Sequence, residues 1–326
     1  MNNKISTSQL QALIIIASLG FEILILPNLI SSIAELTVIL ISGLFICILA
    51  VYSNIFITES KALCFVYSVK NILVIILLTK ILADVVSNVL LANMPLYRII
   101  FMIVIVAAYS AYLGIEPISR ISQMLFWFIV IGTIYVYAMA VPDININNIV
   151  MTSDIRRLSS AVFLGLIINI AEIIILIKPF VKDNHNGVIK GIIFALIMVF
   201  LICLIIMAKI GVKGMKNIDY SFFEIMYTSN APGIFVKRQE GIFISLWIIS
   251  ALISIFIYYV TTVNYMEKLK IDKKFSVIFI MLFVFISDLC YNNRIIPIRT
   301  YCFLQILGGF ITVLIIPLFY IFRKKE

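Results

Sequence analysis

Five ionisable side chains fall inside long apolar runs: Glu22, Lys80, Asp84, Glu172 and, near the end of its run, Asp288. A charge in bilayer hydrocarbon is costly, so such residues face a protein interior and mark substrate or ion paths. Glu22 lies in SLGFEILILP (18–27), where Gly20 loosens the backbone and Pro27 removes an N–H donor. That pattern predicts a broken first membrane helix. N–H groups freed at the break would hold a carboxylate, and Glu22, Glu172 or Asp84 an ammonium. The chemistry is that of a site for a zwitterionic small molecule, a proton or a cation. The alternative is a buried ion-pair network that only fixes helix packing.

Lys80, Asp84 and Asn88 are spaced i, i+4, i+8 and share one helix face, so Lys80 and Asp84 are expected to pair. At about 1.5 Å per residue, Glu22, Glu172 and Lys80 come near enough to the bilayer midplane to meet in one cavity. Asp288 reads as interfacial. His185, in KDNHNG, reads as a solvated loop residue, and Ser245, Ser250 and Ser254 as bonding to their own helix backbone. No phosphate loop, HExxH, GxSxG or metal-spaced His/Cys cluster occurs, so no enzyme, metal or cofactor is expected. The five scattered cysteines read as apolar packing residues.

The elements that must position these groups follow from composition. Of 326 residues, 63% are hydrophobic and 13% charged, with apolar runs of membrane-spanning length. This is an all-α polytopic membrane protein, and its net charge of +9 belongs to loops and the C-terminus, not to a nucleic-acid surface. Ten spans are expected, at roughly 8–30, 32–52, 70–91, 97–113, 118–140, 159–179, 188–210, 240–263, 275–290 and 301–321. The first is read as a retained helix. Lys and Arg are modestly richer in the segments that lie inside when both termini are cytoplasmic (Lys70, Arg120, Lys178, Lys190, Lys268, Lys274 and Arg323 among them), which favours that orientation.

Ten spans divide as five plus five, about 8–140 and 159–321, in one transmembrane domain covering 1–326. In an inverted repeat the first and sixth spans are the broken ones. The sixth, Ser159–Pro179, has Gly165, Asn169, Glu172 and a closing proline. The connections 142–159 and 211–240 mix apolar with polar residues, as surface-lying segments or plain connectors would.

Three stretches then resemble a known family. KISTSQL followed by SLGFEILILP, AYLGIEPISR between the fourth and fifth spans, and GIFVKRQEGIFISLWIIS at the eighth-span entrance are similar to the B subunit of the nutrient germinant receptors of endospore-forming bacteria, the GerAB/GerKB family. Its members resemble permeases of the amino acid–polyamine–organocation superfamily. Phe21 stands where the family usually has Thr, and Glu22 where a small residue is common. The resemblance implies a LeuT/APC-like fold used as a sensor in the spore inner membrane. It implies a small germinant, an amino acid above all, with A and lipoprotein C subunits as partners. By position, Gly20, Phe21, Glu22 and Ile23 with Asn169 and Glu172 would line the pocket, and Asp84, Asn88 and Ser250 would close it. An ion-coupled transporter of amino acids or amines is the competing expectation.

Overall fold

The computed structural model describes residues 5–53, 60–91, 93–181, 185–218, 220–228, 239–290 and 296–318. The helices are α1 (Thr7–Leu29), α2 (Ile33–Tyr52), α3 (Lys61–Val89), α4 (Leu96–Leu113) and α5 (Ile115–Ala140). After them come α6 (Ile155–Leu164), α7 (Ile170–Ile177), α8 (His185–Asn217), α9 (Ser221–Thr228), α10 (Gln239–Lys268), α11 (Lys273–Cys290) and α12 (Ile296–Gly309). Nine helical stretches among the described residues have the length and apolarity to cross a membrane. Helix α11, apolar from Phe275 to Ile286 but flanked by Lys273, Lys274 and Asp288, stands where the ninth expected span lies and is not among those nine. The fold is an all-α bundle of long apolar helices, that of a polytopic membrane protein.

Helix α1 is the axis. Every residue from Ala12 to Pro27 is buried, against α5, α8 and α10. Its start is fixed by the KISTSQL stretch. The Ser6 hydroxyl accepts from the Gln9 N–H (3.3 Å) and the Gln9 side chain accepts from the Ser6 N–H (2.9 Å). This reciprocal capping satisfies two otherwise orphaned donors. The Ile5 N–H donates to Phe180 O (2.8 Å), tying the start of α1 to the far end of the sixth span.

The break expected in α1 does not occur. The helix runs unbroken through Gly20, with Pro27 inside its last turn. Gly20 is a contact instead of a hinge: a Cβ there would lie 2.8 Å from the Ser250 carbonyl oxygen of α10. Small residues let membrane helices approach backbone to backbone. Pro27, one turn from the end, forfeits a bond only where the helix is already finishing.

The sixth span is broken, as its sequence suggests. Gly165–Ile167 form a 3-10 turn after α6, Ile168 is extended (φ −66°, ψ 108°), and α7 begins at Ile170. The break nests against α2. A Cβ on Gly165 would lie 2.9 Å from the Gly43 N–H nitrogen and would collide with the Ser42 hydroxyl, and one on Gly43 would strike the Ile168 side chain.

The AYLGIEPISR stretch is a helix corner. Gly114, at φ 97°, turns the chain from α4 into α5, and Glu116 pairs one turn on with Arg120 (2.6 Å) on the exposed face. Helix α8 opens at His185, which is therefore helical rather than part of a loop. It bends at Gly211 (φ 76°), and the Asn148 side-chain amide donates to the Ala208 and Lys209 carbonyls (3.1 and 3.3 Å) beside the bend. The 142–159 connection therefore packs down on α8 rather than lying free; two backbone bonds, Ile33 N–H to Val150 O and Ala34 N–H to Met151 O, hold it to the start of α2. Residues 229–238 of the second connection and the C-terminal Arg323, Lys324 and Lys325 lie outside the described residues.

Candidate functional site

Two buried carboxylates stand at the start of α7. Glu22, 2% exposed, reaches from α1 towards the backbone N–H groups of Asn169 and Ile170. Neither of its oxygens closes a well-formed hydrogen bond, and among the described residues no Lys or Arg lies within ion-pair distance. The surrounding groups include the buried thiols Cys47 of α2 and Cys203 of α8. The N-terminus of a helix carries partial positive charge, and the Glu22 carboxyl stands beside it.

Glu172, in the first turn of α7, looks the other way. Its Oε1 lies 2.8 Å from Lys70 Nζ of α3, and its Oε2 accepts from the Tyr258 hydroxyl of α10 (3.1 Å). Lys70 also donates to the Thr312 hydroxyl (2.9 Å), and Tyr67, one turn earlier on α3, donates to the Thr312 carbonyl (2.5 Å). Thr312 sits in a π-helical turn, 310–315, that follows α12. Such turns free backbone groups and recur at functional sites. Gly308 leaves room for the lysine stem, since a Cβ there would be 3.0 Å from Lys70 Cε.

Asn169, the residue before α7, is held by α12. Its Oδ1 accepts from the Tyr301 hydroxyl (2.6 Å) and the Gln305 amide (3.0 Å). The break in the sixth span is thus a junction of α1, α2, α3, α10 and α12, lined by polar groups with nearly every hydrogen bond assigned. Glu22 stands out, since neither of its carboxyl oxygens has a hydrogen-bond partner among the described residues.

The structure brings together Glu22, Asn169 and Glu172 from the expected set, with Gly20 and Phe21 buried alongside. Ile23 and Ser250 face a different gap, a cleft of about 20 Å³ beside Trp247 between α1, α5 and α10, with room for a water rather than an amino acid. Ser250 bonds back to Leu246 O of its own helix (3.2 Å).

Lys80, Asp84 and Asn88 do not join the centre. Helix α3 starts nine residues before the expected Lys70, so Lys70 is the α3 residue level with Glu172. Lys80 and Asp84 then lie about 15 and 21 Å further along the axis. Among the described residues those two are not within ion-pair distance of each other; both lie near Asp288 of α11, which is 1% exposed. Asp84 and the exposed Asn88 line a separate cavity of about 310 Å³ with Ser87 and Asn93 at the end of α3.

Sequence reasoning missed Lys70, Tyr258, Thr312, Tyr301 and Gln305. A signal existed. Tyr301, Gln305, Gly308 and Thr312 form a polar and small stripe at helical spacing along the last span. Tyr67, Lys70 and Asn71 form a matching one that a helix start placed at residue 70 cuts in two.

Comparison with solved structures finds a mutant manganese transporter from Eremococcus coleocola with TM-score 0.52 and 11% identity, covering 94% of this chain and 75% of that one. At that identity the likeness concerns the fold alone. Among curated proteins, the spore germination protein YndE of Bacillus subtilis is 24% identical over 177 residues, 52% of this chain. The match takes in 48% of that protein, so the chain spans about half the length of the curated relative it matches. The sequence profile described as "Spore germination protein" matches residues 60–295, which include the paired lysine and the whole broken sixth span. The chain belongs to the spore germination protein family.

Proposed function

We propose that this protein is the membrane-embedded sensing subunit of a nutrient germinant receptor, a non-enzymatic protein that binds a small germinant at the break of the sixth span. One observation carries the reading: Glu22, buried and without a well-formed hydrogen bond, beside a helix break whose Asn169 and Glu172 side chains are both held by neighbours. Because α1 is unbroken, it offers no freed N–H groups for a ligand carboxylate. The N–H groups at the start of α7 already face the Glu22 carboxyl. The group received there is therefore a cation or a hydrogen-bond donor, such as the ammonium of an amino acid or amine.

Signalling needs two states of different ligand affinity. In this reading, occupancy at Glu22 shifts α7, and the Lys70–Glu172 pair passes the shift to α3 and α12. Receptor A and C subunits would receive it, in the spore inner membrane with both termini on the core side.

The test is germination of spores lacking the gene against single amino acids, amines and sugars, with complementation. Loss of response to one nutrient class, restored by the wild-type gene and not by Glu22→Gln, is expected. Unchanged germination with reduced amino-acid or amine uptake would instead make the protein an ion-coupled transporter.

A further inference from the structure

A groove of about 400 Å³ opens between α1, α5 and α8 at the end of the bundle that carries the start of α1. All three helices rise from that end, and each places a polar residue before an apolar one. On α1 the order is Ser8 and Gln11, then Ile15; on α5 it is Gln123, then Phe126 and Trp127; on α8 it is Lys190, then Phe194. From Ser8 to Ile15 is about 10 Å of helix along the groove.

The rim is polar and positive. Gln11 is tied to Gly187 O (2.6 Å), while Lys190 is exposed and makes no ion pair among the described residues. Gly191 shapes the floor, since a Cβ there would lie 3.1 Å from Gln11 Cγ. Deeper in, the groove merges with an outward apolar surface where Trp127 is 65% exposed. Aromatic residues with a lysine above them suit the level where headgroups meet acyl chains.

We propose that this groove is a binding site for one anionic phospholipid, its phosphate at Lys190 and one acyl chain against Trp127 and Phe194. The groove has a single cation at its polar mouth and an apolar lower wall that runs into the exposed face carrying Trp127.

The test is native mass spectrometry of the full-length protein in detergent. Dioleoyl phosphatidylglycerol is titrated against dioleoyl phosphatidylcholine, with inorganic phosphate as a third probe. Wild type should retain phosphatidylglycerol in preference to phosphatidylcholine, and Lys190→Glu should lower that retention at least about fivefold. Lys61→Glu, removing an exposed lysine at the start of α3, should leave it unchanged. Equal retention of the two lipids, equal losses in the two variants, or protection by phosphate alone matching that by phosphatidylglycerol would each overturn the proposal. The readout is independent of germination, so it stands or falls apart from the receptor reading.

Discussion

Lys70 Nζ lies 2.8 Å from Glu172 Oε1, with the two side chains 6% and 3% exposed. The pair joins the middle of one long helix to the first turn of a half-helix, more than 100 residues apart in sequence. In a low-dielectric interior, desolvating both charges costs about what their attraction returns, so the pair adds little net stability. Its value lies in position: each charge forbids arrangements of α7, α3 and the π turn that would strand the other.

Lys70→Met should therefore destabilise the protein by about 3–5 kcal/mol, because Glu172 is left buried without its cation. The double variant Lys70→Met/Glu172→Leu should recover most of that loss. Thermal unfolding in detergent checks this, and a double variant no more stable than Lys70→Met would show that the two charges are not coupled.

Glu22→Gln should leave expression and melting temperature close to wild type, since an amide is cheaper to bury than a carboxylate. The germinant concentration for half-maximal response should rise roughly tenfold or more, as expected for losing a charged hydrogen-bond partner. An unchanged dose–response curve would remove Glu22 from the binding site.

Gly20→Ala should cost about 1–3 kcal/mol, because the new methyl would lie against the Ser250 carbonyl at 2.8 Å and push α1 from α10. Gly241→Ala, in the same bundle but with open space around its Cβ position, should be neutral or stabilising by up to about 1 kcal/mol. Equal effects at the two glycines would mean Gly20 acts through helix propensity rather than through contact.

Asn169→Ala should cost about 1–3 kcal/mol by removing the acceptor of the Tyr301 hydroxyl and the Gln305 amide. Tyr301→Phe should then be less damaging in the Asn169→Ala background than in wild type, as shared partners require. Strict additivity in a thermal-unfolding cycle would count against the bond as an anchor of the break.

The lysine at position 80 shows why a one-dimensional reading misassigned the centre. Asp84 at i+4 made a local pair plausible, yet both charges are directed into a cluster with Asp288 at the far end of α3. Lys80→Met leaves Asp84 and Asp288 without their shared cation, so Asp84→Leu in that background should recover part of the lost stability. Melting temperatures of the single and double variants decide this, and no recovery would count against the cluster.

Much of the architecture was written in local chemistry. Apolar runs long enough to cross a bilayer made the membrane class unavoidable, and Gly165, Asn169 and Pro179 marked a sixth span that could not remain one helix. Glu22 and Glu172 stood out because a buried charge has few reasons to exist. Tertiary structure decided the rest. Whether Gly20 is a hinge or a contact depends on what packs on it, and the Ser250 backbone of α10 made it a contact. Which lysine meets Glu172 depends on where α3 begins, and a start at Lys61 rather than Lys70 shifts the choice by ten residues along the axis. Periodicity reports which residues share a face; only the packing of one helix on another sets the depth at which those faces meet.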